Sequence, residues 1–85
     1  MKRIVETADG GFEALLGEKI QVWCGVYIYA GTLSGVNEDH IELTDAKIVY
    51  ETGELSAKKW ANAQDLVVSP WRVMKQAIES WGPGR

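Results

Sequence analysis

One alternation of side chains, broken by glycines, limits the fold of this chain more than any other feature. The aliphatic residues of 20–30 fall on every second position on either side of Cys24-Gly25, where a tight turn fits. A period of two indicates β-strands. Gly31 and Gly35 interrupt the same run, and glycine within a strand commonly marks a sharp bend. The pattern therefore predicts two adjacent antiparallel strands with strong curvature.

Three further strands are predicted downstream. Residues 41–50 carry alternating aliphatic residues, with a bulge expected near Asp45-Ala46. Residues 55–60 and 66–68 are the last two candidates, and the four residues 61–64 between them suffice for one tight turn. Five short, bent antiparallel strands over residues 18–68 favour a mainly β fold, a small SH3-like barrel.

Helices are predicted at both ends of this sheet. A short N-terminal helix over 9–17 has Asp9 as its cap and Gly17 as its end. A C-terminal helix over 70–81 follows a capping Ser69, because apolar residues at 71, 74, 78 and 81 fall on one helical stripe. We expect this stripe to cover the aromatic face of the second strand or an adjacent subunit.

Length and composition narrow the class of protein. The 85 residues make a single domain, 1–85, and 46% hydrophobic with 25% charged residues is globular composition. One cysteine and one histidine exclude an intramolecular disulfide and a structural zinc site. The start of the chain has no apolar run of signal-peptide length, and the longest apolar stretch, 22–33, is too short to cross a bilayer. We expect a cytoplasmic protein without membrane contact, metal or cofactor.

The net charge of −3 is unevenly distributed along the chain. Residues 1–57 hold four Lys/Arg against ten Asp/Glu, whereas residues 58–85 hold five against two. A protein that binds duplex DNA needs a concentrated basic face, which this composition does not supply. A short single-stranded segment needs fewer cations because aromatic stacking supplies part of the binding energy. Duplex binding is therefore not expected, and single-stranded binding stays open.

Two segments carry a resemblance to a known family. The run Gly31-Thr32-Leu33-Ser34-Gly35-Val36-Asn37, followed by Ile41-x-Leu43, resembles the first motif of the Sm-like family, with Asn37 where Asp is usual. The stretch 60–70, an aromatic and a short turn before a Val-Val pair and a proline, resembles the second motif in its bacterial form. The departures are a longer hairpin at 45–54, a second-motif turn without Arg or Lys, and the added C-terminal helix.

The resemblance implies a homo-oligomeric ring of five to seven subunits. Sm-like subunits pair the fourth strand of one copy with the fifth of the next, which places residues 55–60 against 66–68 of a neighbour. The physical reason holds without the family, because a partly open barrel leaves strand edges unpaired and a closed head-to-tail contact removes them. The expected interface residues are Leu55, Trp60, Leu66, Val67 and Val68.

The resemblance also implies contacts with single-stranded RNA. By position, Asn37 and His40 from one loop and Asn62 from another would hold unpaired bases. Asn offers a donor and an acceptor to a base edge, and His can stack on a base. Against this stand Glu38 and Asp39, whose charges repel phosphate, and the ordinary role of such residues in solvated turns.

Three functions remain in order of preference. The first is a non-catalytic Sm-like ring that binds single-stranded RNA or acts as an RNA chaperone. The second is a structural or protein-interaction ring of phage type without an RNA site. An enzyme comes last, because His40 has no second His, Ser or Cys partner that makes a visible catalytic set.

Overall fold

A computed structural model describes residues 11–85, which form an antiparallel sheet of six strands. Two single turns of 3-10 helix, Phe12–Leu15 and Lys75–Ala77, are the helical segments in that range. The strands are β1 (Lys19–Cys24), β2 (Ile28–Val36), β3 (His40–Glu51), β4 (Asn62–Asp65), β5 (Trp71–Met74) and β6 (Ile78–Pro83). The mainly β class predicted from the sequence is confirmed.

The sheet is open rather than closed into the predicted barrel. Its hydrogen-bonded order is β4-β3-β2-β1-β6, and β5 pairs with β3. β4 and β5 share β3, because β4 pairs with its C-terminal part and β5 with its first residues, 40–43. β6 lies at the far end of the path, against β1.

The predicted antiparallel hairpin of β1 and β2 is confirmed, and β2 is irregular at both predicted glycines. Ile20 lies opposite Gly31 in this pair, and the pairing of β2 with β3 shifts register at Ala30/Thr32 and again at Leu33/Gly35. A Cβ added at Gly31 would lie 3.0 Å from the Thr44 carbonyl oxygen. Glycine thus permits the close approach of β2 to β3.

β3 bends at the predicted bulge. Asp45 has a positive φ of 52°, and the side chain of the next residue, Ala46, is buried. An Asp tolerates this left-handed conformation better than most residues with a side chain. The bend divides β3 into the two parts that pair with β5 and with β4.

A single cluster of aliphatic side chains forms the core. The sheet buries them on one face, and full burial of each large member contributes roughly 1.5–3 kcal/mol. The cluster consists of Ile20, Val22, Leu33, Ile41, Leu43, Ala46 and Val73.

The strands predicted over 55–60 and 66–68 are wrong. Residues 55–60 lie in a loop, and the predicted turn 61–64 instead overlaps β4, whose Ala63 lies opposite Val49. Leu55 is 76% exposed and Val67 is 96% exposed, so these segments have little apolar contact to fix them as strands. The unpaired edge of β3 determines which residues become β4, and local β propensity does not.

The predicted C-terminal helix over 70–81 is also wrong. The segment forms β5, the 3-10 turn Lys75–Ala77 and β6. Along β5, Val73 is buried between the exposed Arg72 and Met74, which is the alternation of a strand. The 3-10 turn lies between the two strands and interrupts this alternation. The apolar residues at 71, 74, 78 and 81 therefore have helical spacing although they lie in two strands.

The N-terminal helix predicted over 9–17 is reduced to the 3-10 turn Phe12–Leu15, and its proposed cap Asp9 lies outside the described residues. Gly17 ends this region with φ of 85°, which favours glycine. The Phe12 ring stacks on Trp81 with centroids 4.2 Å apart. Tyr29 is covered by Trp71, at 6.4 Å between centroids, although Trp71 lies in a strand and not in the expected helix.

Candidate functional site

The loop that carries Asn37 and His40 is closed by its own hydrogen bonds. The Asn37 backbone N–H donates to the His40 carbonyl oxygen at 2.8 Å. Asn37 Nδ2 lies 3.1 Å from His40 Nε2, and His40 Nδ1 lies 2.6 Å from Asp39 Oδ1. A neutral imidazole with its proton on Nδ1 satisfies both contacts, since it donates to Asp39 and accepts from Asn37.

Carboxylates and cations both lie around this loop. The hydrogen bond from His40 lowers the pKa of the Asp39 carboxyl below its usual range, and the charge of Lys75 contributes to the shift. Glu42 Oε1 lies 3.8 Å from His40 Nε2 and also accepts a hydrogen bond from Arg72 Nε at 3.2 Å. The two RNA candidates in this loop are therefore engaged with their neighbours.

Asn62, the third RNA candidate, lies far along β3 from the other two. It faces Glu51, the last residue of β3, whereas His40 is the first. The structure brings Asn37 and His40 together and leaves Asn62 at the opposite end of the strand.

Asn62 instead lines a cleft in which most of the Lys and Arg side chains of residues 11–85 are found. Of the seven Lys and Arg side chains within residues 11–85, five line this cavity of about 560 Å³. We call it the basic cleft; its cations are Lys19, Lys47, Lys58, Lys59 and Arg85. The charge pattern in residues 58–85 signalled this surface in part, because Lys58, Lys59 and Arg85 belong to the segment with excess positive charge.

Arg85 is held in the basic cleft by Trp60 and by backbone carbonyls. Its guanidinium carbon lies 4.1 Å from the centroid of the Trp60 ring. Nη1 donates to the carbonyl oxygens of Thr52 at 2.7 Å and Lys59 at 3.2 Å. These contacts hold Arg85 in place, although no carboxylate of residues 11–85 forms an ion pair with it. Lys47 and Arg72, in contrast, pair with Asp65 and Glu42.

A second cavity, of about 450 Å³, is mainly apolar and runs beside β5. Met74 and Tyr27 are each about half exposed and Val26 is 83% exposed. We call this surface the apolar groove; its side chains include Cys24, Val26, Tyr27, Tyr29, Trp71 and Met74. Large side chains clustered in an exposed groove are typical of an interaction surface.

Two ionisable groups of the apolar groove are shifted toward their neutral forms. Burial, and then the Glu79 carboxylate, raise the pKa of the Cys24 thiol. Burial also raises the pKa of Tyr29, with smaller contributions from Cys24 and Tyr27. Both shifts indicate an environment that disfavours charge.

The five residues predicted at a subunit interface do not form one surface of paired strands. Trp60 lines the basic cleft, and Leu66 packs against the core. Leu55, Val67 and Val68 lie on exposed loops. The apolar groove was missed because its members come from the β1–β2 turn and from β5, about fifty residues apart in sequence.

Within residues 11–85 no three His, Cys, Asp or Glu side chains are grouped so that they could hold a metal ion. No helix in the same range has the length and apolar character to span a membrane.

No family model, no curated protein and no solved structure matches this chain. Function is therefore inferred from the geometry of the loop, the basic cleft and the apolar groove.

Proposed function

We propose that this chain is a non-catalytic, Sm-like module that assembles with copies of itself into a closed ring of five to seven subunits, for a structural or protein-interaction role. The observation that carries the proposal is the edge of β5, which runs beside the apolar groove. In this arrangement β5 of one copy pairs with β6 of the next.

The edges of β5 and β6 make this pairing possible. Among the described residues β5 is hydrogen-bonded to β3 and β6 to β1, so each has one side without a strand neighbour. Such edges are templates for pairing with another chain. A head-to-tail contact between two different surfaces generates a ring when its rotation closes.

The third edge, that of β4, is less suited to subunit contact. β4 has the same length as β5 but no buried residue, and its ends are the polar Asn62 and Asp65. Polar and charged side chains on an edge are a common protection against pairing. In contrast, pairing at β5 also covers the exposed Met74 and Tyr27 of the apolar groove, which adds hydrophobic stabilisation.

Binding of RNA bases by Asn37 and His40 stays a prediction and is the weaker candidate. Asp39 and Glu42 lie beside His40, Glu38 precedes Asp39 in sequence, and a ring would bring several copies of these carboxylates near one another. Repulsion of phosphate would then oppose RNA binding at this loop.

Light scattering after gel filtration of two matched variants tests the assembly surface. Met74→Glu places a charge in the apolar groove, and we expect its mass to fall to that of the 9.4 kDa monomer. Val67→Glu places the same charge on a side chain that is 96% exposed, and we expect its mass to equal that of the unmodified protein. Circular dichroism of both variants checks that the sheet is retained.

The opposite result identifies a different interface. If Val67→Glu dissociated the assembly and Met74→Glu did not, subunits would meet through residues 66–68, as the sequence predicted, and the β5 contact would be wrong.

A further inference from the structure

The basic cleft carries positive charge, whereas the chain as a whole is negatively charged. Five cations line it, although the chain as a whole carries a net charge of −3. An adjoining cavity of about 270 Å³ shares Lys19, Lys47 and Arg85, which extends the basic surface. Cations placed around a concave surface raise the local concentration of anions there.

Carboxylates at the basic cleft reduce this charge without cancelling it. Asp65 Oδ1 lies 3.7 Å from Lys47 Nζ, Asp45 lines the adjoining cavity, and Glu51 lies opposite Asn62 across the strands. Even with all three carboxylates counted, five cations leave an excess of positive charge.

The position of Arg85 points to an anionic ligand with a flat group. Nη1 makes both backbone hydrogen bonds. Within residues 11–85 Nη2 has no hydrogen-bond partner, so its N–H groups can donate to a ligand. The guanidinium carbon lies over the Trp60 ring at 4.1 Å from its centroid, and we call this pair of planar groups the Arg85–Trp60 platform. Unpaired bases stack on aromatic rings and on arginine planes, and phosphates take hydrogen bonds from arginine.

We propose that the basic cleft binds a short run of unpaired nucleotides in a single-stranded nucleic acid. Lys58, Lys59 and Arg85 contact the phosphodiester backbone, a base stacks on the Arg85–Trp60 platform, and Asn62 hydrogen-bonds to a base edge. An acidic polypeptide would use the lysines but would not need the platform or the amide, so the nucleic acid fits the cleft better.

This site lies apart from both the Asn37–His40 loop and the apolar groove. Asn62 and Arg85 lie at the C-terminal part of β3, whereas Met74 lies opposite His40 at its start. A variant that disrupts subunit contact, Met74→Glu, should therefore retain the cleft.

Fluorescence anisotropy with labelled oligo(U) and oligo(dT) of twelve nucleotides, titrated at several salt concentrations, tests the proposal. Each phosphate contact on a single strand contributes about −0.7 to the slope of log K against log salt. We expect Lys58→Ala/Lys59→Ala to reduce the steepness of this slope by about 1.4 and to weaken binding at low salt by roughly tenfold. Arg85→Gln should weaken binding and reduce the steepness of the slope by about 0.7, whereas Asn62→Ala should weaken binding at every salt concentration.

Lys75→Gln is the control, because this cation lies outside both the basic cleft and β5 and should leave the slope unchanged. Binding of both oligonucleotides, or of oligo(U) alone through its 2′-hydroxyls, supports the site. No binding at 50 mM salt, an equal loss in the control, equal binding of a duplex, or equally strong competition by polyglutamate would each overturn it. Binding by Met74→Glu separates this result from that of the assembly experiment.

Discussion

At the scale of single residues, close backbone approach explains the glycine-rich hairpin. Gly31 faces β3, where an added Cβ would lie 3.0 Å from the Thr44 oxygen and 3.1 Å from Ala46 Cα. Both neighbours are backbone atoms; Thr44 pairs with Thr32 of β2 and the Ala46 carbonyl accepts from the Leu66 N–H, so they cannot move aside without disturbing hydrogen bonds. The sequence predicted a bend here, and the neighbouring strand supplies the reason.

Gly31→Ala should therefore destabilise the fold by about 1–3 kcal/mol, the usual cost of overpacking. Gly82→Ala is the matched control, because an added Cβ at Gly82 has no heavy atom within 4 Å. Urea unfolding of both substitutions in the Met74→Glu background measures the effect without subunit contacts. Equal stabilities of the two variants would contradict the close approach.

Cys24 gives a second prediction at this scale, on the pH dependence of its reactivity. Burial and the Glu79 carboxylate raise the pKa of its thiol, and the thiolate is the form that reacts. Alkylation by iodoacetamide should reach half its maximal rate at a higher pH than free cysteine, and Glu79→Gln should move this midpoint part of the way back. Mass spectrometry across a pH series measures the rates, and a profile equal to that of free cysteine would refute the shift.

The same shift has a consequence for stability. The folded-state pKa of Cys24 lies above the unfolded value, so the neutral thiol contributes stability that is complete below the unfolded pKa. That contribution is lost as pH rises through the folded pKa. Tyr29 shifts in the same direction, so the fold should weaken on the alkaline side.

At the scale of elements, the sequence predicted those strands whose pattern is local. β1, β2 and β3 alternate clearly, and Gly31 and Asp45 mark their irregularities. The pattern was misleading between 55 and 83, where strand boundaries depend on a distant partner. Trp71 and Trp81 belong to different strands because β3 pairs with β5 and β1 pairs with β6. Long-range pairing of this kind has no signature in local periodicity.

The stack between Phe12 and Trp81 connects the N-terminal 3-10 turn to β6. A double-mutant cycle of Phe12→Ala and Trp81→Ala should give a coupling free energy of about 0.5–1.5 kcal/mol, as found for aromatic pairs. Urea unfolding in the Met74→Glu background measures the four stabilities. A parallel cycle of Phe12→Ala with Trp23→Ala should be additive, because Trp23 lies on the opposite face of β1 from Val22, the residue that pairs with Trp81. Additivity in the first cycle would exclude the stack.

At the scale of the whole molecule, most cations of the described residues lie at one end of β3. Arg72 and Lys75 lie with Glu42 and Asp39 near its start, whereas the five cations of the basic cleft lie around its C-terminal part. The sequence predicted the difference in charge between residues 1–57 and 58–85. It also indicated Asn62 as an RNA-binding candidate and Trp60 as an interface candidate. It could not place Arg85 with them, because the hydrogen bond from Arg85 to Thr52 spans 33 residues.

The apolar groove was beyond sequence reasoning for the same reason. Tyr27 and Met74 each fit an ordinary core or surface position, and only the pairing of β5 with β3 puts them along one groove. The expected subunit contact was therefore assigned to residues 55–68, where loops replace the predicted strands. The ring itself stays a prediction, with the edges of β5 and β6 as the proposed contacts.

Sedimentation equilibrium of the unmodified protein measures whether the chain assembles with itself. We expect one species whose mass is five to seven times the 9.4 kDa of a single chain and does not change on moderate dilution. A mass of 9.4 kDa at every protein concentration measured would contradict self-assembly.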